Sequence, residues 1–182
     1  MMNIMKKSPL KTHEFYRERV NSQLNLFLSS IQSTSSSKNR LIDIMKYSAL
    51  VGGKRFRPIL TYTVASLFDV AIEKVDSCAC AIELIHIYSL IHDDLPCMDD
   101  DSIRRGKPAT HIKFGEASAV LAGSSLLTLA FEIITEKKYL VHSKIKNELV
   151  RSLALCSGHN GIAECQELDL KFEKIKKKIN QI

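Results

Sequence analysis

The feature that most constrains the fold is a long apolar run that ends in carboxylates. Residues 75–91 are apolar on nearly every side of a helix, and such a helix belongs at the centre of a bundle. The run contains Asp76, Glu83 and His86, and it is shorter than the about twenty apolar residues that cross a membrane. We therefore predict a buried core helix in a soluble, cytoplasmic protein.

The rest of the chain also shows helical patterning. Alternation of apolar and polar residues never persists, and β-branched residues fall at helical spacing. The sequence shows no internal repeat and no convincing domain boundary, so we expect residues 1–182 to form a single all-α domain. Besides 75–91, helices are predicted at 15–31, at 41–50, from about Pro58 onward, at 117–138 and at 145–157.

Charge and cysteine content narrow the possible functions. Lys and Arg outnumber Asp and Glu by 26 to 20, which gives a formal net charge of +6 and permits an anionic partner. The five cysteines form no C-x-x-C pair, so we expect free thiols in a reducing compartment rather than a zinc site. No apolar stretch follows the basic residues near the N-terminus, so we expect no signal peptide.

Five aspartates follow the apolar run within nine residues, in the segment DDLPCMDDD at 93–101. Pro96 cannot continue the helix, because its ring would clash with the carbonyl of His92. Asp93 and Asp94 are therefore expected at a helix C-terminus, where the helix dipole and like charges both disfavour carboxylates. A bound Mg²⁺ would relieve both effects and would be completed by water and substrate phosphate. A solvated acidic turn is the alternative.

Two basic clusters accompany the aspartates. GGKRFRP at 52–58 combines three cations with two glycines, and RRGKP at 104–108 follows the acidic segment. Phosphate oxygens are the natural partners of such cations, although solvated basic turns have the same composition. His86 precedes Asp93 by seven residues and so lies on roughly the same helix face, with a core histidine as the alternative. The clusters together predict a site for two anionic ligands and a metal ion.

The order and spacing of these motifs resemble those of the trans-isoprenyl diphosphate synthases, and most closely the bacterial farnesyl diphosphate synthases. The resemblance rests on 52–58, on the stretch 86–101 with RRG at 104–106, and on KFGE at 113–116. It implies an isoprenoid-synthase-type helical bundle around a central cavity, usually as a homodimer. It further implies Mg²⁺-assisted condensation of isopentenyl diphosphate with an allylic diphosphate, and no binding of nucleic acid or membrane.

The resemblance also implies roles for individual residues. Asp93 and Asp99 match the aspartates that hold Mg²⁺ on the allylic diphosphate, and Asp94 lies in the same motif. Arg104 matches an arginine that contacts that diphosphate, which completes the expected catalytic set. The residues that match the isopentenyl diphosphate site are Lys54, Arg57, His86 and Arg105.

Product length is implied by two further features. Pro96 and Cys97 are a two-residue insertion within the aspartate motif, and the aromatic Tyr88 lies five residues before Asp93. Both features look like those of the short-chain bacterial type, in which a bulky ring forms the floor of the elongation cavity. The resemblance therefore implies a C15 product, farnesyl diphosphate, in preference to C10 or C20.

The resemblance covers the N-terminal half to two-thirds of a typical member. Members carry a second aspartate-rich motif further along, whereas the one aspartate after Asp101 here is Asp169. We therefore expect a bundle without the C-terminal helices. Two alternatives remain: a relative that binds diphosphate and Mg²⁺ with little or no turnover, and a basic nucleic-acid-binding module that uses the lysines of 171–178. No finger, helix-turn-helix or aromatic stacking pattern supports the second alternative.

Overall fold

The computed structural model shows a bundle of helices. It describes residues 9–31, 39–136 and 142–179, with side chains for 11–31, 39–136 and 142–173. A turn of 3₁₀-helix, Ile72–Lys74, precedes the central helix. The α-helices of the described residues are α1 (Pro9–Ser30), α2 (Arg40–Leu50), α3 (Phe56–Leu67), α4 (Asp76–Asp93), α5 (Thr110–Phe114), α6 (Glu116–Thr135), α7 (Ser143–Ser157) and α8 (Ile162–Ile179).

The predicted apolar helix is α4, and it lies in the centre of the bundle. Most of its residues are buried. Among the described residues, the contact between α4 and α6 is more extensive than that between any other two elements. Ala119 and Ala122 of α6 are completely buried at this contact. Gly123 also permits the close approach, because a Cβ atom there would lie 2.3 Å from Nε2 of His92. The prediction of a buried core helix is confirmed.

Helix α6 is long and apolar enough to cross a membrane by length and composition. Core helices of soluble proteins have the same properties. Leu126, Leu129 and Ile133 of α6 are buried in the same hydrophobic cluster as the apolar side chains of α4. Packing against α4 therefore accounts for the hydrophobicity of α6.

Helix ends follow local sequence signals. The chain after α2 passes through Gly52 and Gly53, whose φ angles of 98° and 136° favour glycine. Pro58 lies in the first turn of α3, where its missing N–H has no intrahelical partner. Helix α4 ends at Asp93, shortly before Pro96, as predicted. The predicted residues 137–138 lie outside the described part of the chain.

A small hairpin is the main element that the sequence patterning does not predict. Strands β1 (Ile103–Arg104) and β2 (Lys107–Pro108) pair antiparallel, with Arg104 opposite Lys107. Arg105 and Gly106 connect them with φ angles of 55° and 75°. Two consecutive positive φ angles are typical of a type I′ turn. With two residues per strand, alternation is too short to be visible in the sequence.

Two further predictions concern cysteines and the lysine-rich end. All five cysteines are free thiols, as predicted. The lysines offered for nucleic-acid binding, at 171–178, lie in α8. From residue 174 onward their side chains lie outside the described part.

Candidate active site

One face of α4 carries the titratable residues of the site. These residues are spaced around His86: Glu83 lies three residues before it, and Asp93 and Asp94 lie seven and eight residues after it. Such spacings place all four on one side of a helix. Glu83 and Asp94 are 1% and 2% exposed, whereas His86 and Asp93 are half-buried. Buried charges are costly unless they are paired. The partners of each group therefore determine what the site can bind.

The acidic segment folds back onto the end of α4. The N–H of Asp99 donates to the carbonyl of Asp93 over 2.8 Å, and the N–H of Asp100 donates to the carbonyl of Leu95 over 3.1 Å. Burial raises the pKa of Asp93, and the negative charges of Asp99 and Asp94 raise it further. Negative charge therefore accumulates at this helix end, as the sequence predicts.

Gln166 of α8 is a neutral partner of Asp93. Its Nε2 donates to Oδ1 of Asp93 over 2.7 Å and to the carbonyl of Ser89 over 3.3 Å. The hydrogen bond lowers the pKa of Asp93 against the larger effect of burial. No local pattern in the sequence signals a role for Gln166, because the contact joins residues 73 positions apart.

Asp94 is paired with Arg104 of the hairpin. The Nε of Arg104 donates to Oδ1 of Asp94 over 2.8 Å, and its Nη2 contacts both Asp94 and Asp101. Burial raises the pKa of Asp94, and the bond to Arg104 opposes that shift. Among the described side chains, Asp93 and Asp99 have no salt-bridge partner. Asp94 therefore balances Arg104, whereas the carboxylates of Asp93 and Asp99 have no such counter-charge among the described side chains.

The donor chemistry of Asp93 and Asp99 fits Mg²⁺. Within 9–31, 39–136 and 142–179 no group of three or more Asp, Glu, His or Cys side chains is placed to hold one metal ion. Two carboxylates are enough for Mg²⁺, which keeps several waters and is completed by substrate phosphates. The raised pKa of Asp93 supports this fit, because a bound cation would stabilise its ionised form.

The second arginine of the hairpin contacts a different part of the molecule. Nη1 of Arg105 donates to the carbonyl of Gly52, and its Nη2 lies 4.0 Å from Oε1 of Glu83. Gly53 leaves room for this guanidinium, because a Cβ atom there would lie 2.5 Å from Nη1. Arg104 and Arg105 are adjacent in sequence, yet one contacts the acidic segment and the other contacts the glycine loop.

Arg57 and Arg105 both act on His86. Burial, together with the charges of Arg57 and Arg105, lowers the pKa of His86 to about 4, and Glu83 opposes this shift. His86 is therefore a neutral imidazole at neutral pH. We call Arg57 and Arg105, together with the neutral His86, the cationic cluster. Lys54 is exposed on the loop that leads to Arg57.

Tyr88 lies on another side of α4. Five residues place it about 140° around the helix from Asp93. It is 7% exposed, its hydroxyl donates to the carbonyl of Ser157 over 3.5 Å, and its ring packs edge-on against His92 with 5.5 Å between centroids. Tyr88 therefore lies in the interior, at the contact between α4 and the end of α7.

Known proteins place the chain in a family. Residues 38–181 match the family described as Polyprenyl synthetase. The chain is 43% identical over 157 residues to the farnesyl diphosphate synthase of Escherichia coli strain K12, and 44% identical over 157 residues to that of Haemophilus influenzae. Each alignment covers 86% of this chain but 52% or 53% of the relative. The chain thus spans about half the length of the curated relatives it matches.

Solved structures agree with the sequence relatives. An FPP/GFPP synthase from Zymomonas mobilis matches with a TM-score of 0.83 at 41% identity, over 90% of this chain and 59% of that one. A geranyltransferase from Legionella pneumophila matches with a TM-score of 0.82 at 37% identity, over 88% and 55%. The fold is therefore the all-helical isoprenoid synthase fold, which confirms the resemblance seen in the motifs. The chain belongs to the polyprenyl synthetase family.

Proposed function

We propose that the chain acts as a prenyltransferase that condenses isopentenyl diphosphate with dimethylallyl or geranyl diphosphate to give farnesyl diphosphate. The main support for this proposal is that α4 has carboxylates at one end and basic side chains beside its middle turns. Asp93 and Asp99 lack a cationic partner among the described side chains, whereas the cationic cluster lies about two turns back along the helix. One end suits a diphosphate that arrives with metal, and the other suits a diphosphate bound directly by cations.

The allylic diphosphate is assigned to the acidic end. Asp93 and Asp99 are the residues proposed to hold Mg²⁺, which when bound neutralises charge on the leaving diphosphate. Arg104, held by Asp94 and Asp101, adds a fixed positive charge for the same diphosphate. With its charge compensated, the diphosphate leaves with the electron pair of the C–O bond, and the allylic carbon becomes a carbocation.

Isopentenyl diphosphate is assigned to the cationic cluster and Lys54. Neutral His86 donates a hydrogen bond to a diphosphate oxygen, and Arg57, Arg105 and Lys54 supply positive charge. The double bond of the bound substrate attacks the allylic carbon and forms the new C–C bond. Loss of a proton from the adjacent carbon then restores a double bond. The apolar interior of the bundle excludes water, which would otherwise quench the cation.

The remaining parts of the proposal concern product, assembly and location. We assign the limit of product length at C15 to Tyr88, a buried ring on the same helix as Asp93. The proposed protein is a cytoplasmic homodimer without a nucleic-acid or membrane partner. Arg55 is buried and paired with Glu83, so this cation of the basic 52–58 segment does not face a phosphate backbone.

Product formation by the purified chain tests the proposal. With Mg²⁺, isopentenyl diphosphate and geranyl diphosphate, we expect a C15 product from the wild type, and a rate lower by about 100-fold or more in Asp93→Ala. Asp43→Ala, which removes an exposed aspartate from α2, is the matched control and should keep the wild-type rate. Binding of both diphosphates without product would instead favour a binding protein without turnover. Absence of binding would overturn the proposal.

A further inference from the structure

Arg55 is the buried cation of the basic 52–58 segment. Its side chain is 0% exposed, whereas the other two cations of that segment are exposed. Its Nη1 donates to Oε1 of Glu83 over 2.7 Å, its Nε to Oδ1 of Asn21 over 2.9 Å, and its Nη2 to the carbonyl of Ala49 over 2.6 Å. One guanidinium therefore ties the glycine loop to α1, α2 and α4.

The backbone at Arg55 is in the left-handed region, with φ at 52°. Residues other than glycine adopt this conformation at a cost, and they keep it where the surroundings hold them there. Here the buried hydrogen bonds of the side chain provide that constraint. Because Arg55 follows Lys54 and caps the start of α3, its anchoring sets the direction of exposed Lys54 and of exposed Arg57 in the first turn of that helix.

Glu83 is the carboxylate that faces arginines from both basic motifs. Its side chain is 2% exposed, and Oε1 lies 2.7 Å from Nη1 of Arg55 and 4.0 Å from Nη2 of Arg105. Burial lowers the pKa of Arg105, the charge of Arg55 lowers it further, and Glu83 opposes the shift. Without this carboxylate the two guanidinium groups would repel each other. Glu83 also precedes His86 by one helical turn.

We propose that Glu83 and Arg55 form a positioning pair for the isopentenyl diphosphate site. The pair does not contact substrate. It holds the glycine loop and the hairpin turn at the separation at which Lys54 and the cationic cluster converge on one diphosphate. The identity of that ligand rests on the proposed function. The acidic end is ordered by other bonds, so the pair controls one substrate site and leaves the other unchanged.

Two variants separate positioning from stability. Arg55→Met/Glu83→Met removes both charges and fills the space with apolar atoms, a replacement that is often neutral or stabilising for buried ion pairs. Glu83→Gln removes the negative charge and keeps the side-chain size. The matched control is Asp76→Asn, because Asp76 is another buried carboxylate of α4 and pairs with Arg19 over 2.7 Å at the opposite end of the helix.

Calorimetric titration measures the affinity for isopentenyl diphosphate and, with Mg²⁺, for geranyl diphosphate, next to each melting temperature. We expect both variants to bind isopentenyl diphosphate at least about tenfold more weakly, and geranyl diphosphate within about threefold of the wild type. Asp76→Asn should lower the melting temperature and leave both affinities unchanged. This selective loss is the result that a merely stabilising role would not produce.

Three results would overturn the proposal. A double variant that folds and keeps its affinity for isopentenyl diphosphate would show that the pair only supports the fold. Equal loss of both affinities would show general disruption. If the wild type binds neither diphosphate, the proposed function fails together with the positioning role. If the wild type binds both and the variants match it, the positioning role alone fails.

Discussion

Asp93 and Asp94 are neighbours in the sequence, but their carboxylates meet different partners. Asp94 accepts hydrogen bonds from Arg104, whereas Asp93 accepts one from the neutral amide of Gln166. Burial raises the pKa of both groups, and for Asp93 the nearby Asp99 adds to that shift. The two adjacent carboxylates therefore differ in their partners: Asp94 balances an arginine, and Asp93 is bound by a neutral amide.

A substitution at Gln166 tests how Asp93 is oriented. Gln166→Leu removes the donor without changing charge, so Oδ1 of Asp93 loses the bond that holds it. We expect Mg²⁺-dependent binding of geranyl diphosphate to weaken about tenfold, the usual scale for loss of a group that orients a metal ligand. Titration calorimetry measures this change. Glu167→Gln, an exposed change on the same helix, should match the wild type, and equal affinity in both variants would contradict the prediction.

His86 predicts a pH dependence of stability. Its pKa in the folded protein, about 4, lies below the ordinary value of 6.5. Between those two pH values the imidazole binds a proton in the unfolded chain but not in the folded one. The contribution of His86 to the free energy of unfolding is therefore fully present above pH 6.5 and is lost as the pH falls towards 4. We expect the melting temperature to drop between about pH 7 and about pH 5, and to drop less in His86→Gln. Parallel curves for the two proteins would contradict this assignment.

The sequence predicts those site residues whose signal is local. Pro96 places Asp93 and Asp94 at a helix end, and the structure agrees. Glu83 is visible in the sequence as a carboxylate inside an apolar run, a residue type that is rarely buried without a partner. Its partner Arg55 is 28 positions away, however, and looks like one of three equivalent cations. Burial distinguishes Arg55, and burial depends on packing between elements.

At the scale of elements, helices follow from the sequence because their apolar spacing repeats over many turns. The exceptions are short: the hairpin has two residues per strand, and α5 has five residues in all. Such pieces carry too few residues for a period to be recognised. The hairpin is nevertheless the element that directs Arg104 and Arg105 to different partners. A short connection between helices therefore positions two arginines of the site, and the helical pattern of the sequence does not predict it.

The glycine loop offers a matched pair of substitutions. Gly52 and Gly53 both have positive φ angles, but a Cβ atom at Gly52 has nothing within 4 Å, whereas one at Gly53 would lie 2.5 Å from Nη1 of Arg105. Alanine at either position should cost about 1 kcal/mol of unfolding free energy from backbone strain. A guanidinium can swing away from the new methyl group, so Gly53→Ala should lose little additional stability.

The two glycine variants should differ in ligand binding. When Arg105 is displaced, the cationic cluster loses one of its members. We therefore expect Gly53→Ala to bind isopentenyl diphosphate about tenfold more weakly, the scale of a lost hydrogen bond to a charged group, and Gly52→Ala to bind it as the wild type does. Denaturant unfolding measures the stability of each variant and calorimetry measures the affinity. Equal affinities would show that Arg105 does not depend on Gly53.

At the scale of the molecule, an apolar groove lies away from the charged site. It has a volume of about 850 Å³ and is lined mainly by side chains of α3, of α7 and of the segment between α3 and α4. On α3, Leu60 is 54% exposed and Val64 is 45% exposed. Contiguous apolar surface of this kind is uncommon on isolated soluble domains and favours association. The groove includes Leu60, Thr61, Val64, Ala65, Val70, Lys74, Val75, Cys78, His142, Ile145 and Leu149.

Polar substitutions in the groove should reduce association. In Leu60→Gln/Val64→Gln we expect weaker binding of an apolar fluorescent dye and less concentration-dependent sedimentation. Stability should change by no more than about 0.5 kcal/mol per site, because each side chain is already about half exposed. Ile112→Gln, a change at a residue of α5 that is 55% exposed and outside the groove, is the control. Unchanged dye binding and sedimentation would show that the molecules do not associate through the groove.

The turn at Arg105 and Gly106 limits how this chain can diverge. Arg104 ends β1 and Arg105 begins the turn with a left-handed backbone, so the two adjacent side chains leave the chain in different directions. Adding or removing a single residue there would shift both arginines out of these backbone positions, so both would be misplaced by one genetic event. Substitutions at the exposed Lys107 carry no such penalty. Descendants of this sequence should therefore vary in composition between Asp101 and Pro108 while keeping the number of residues constant.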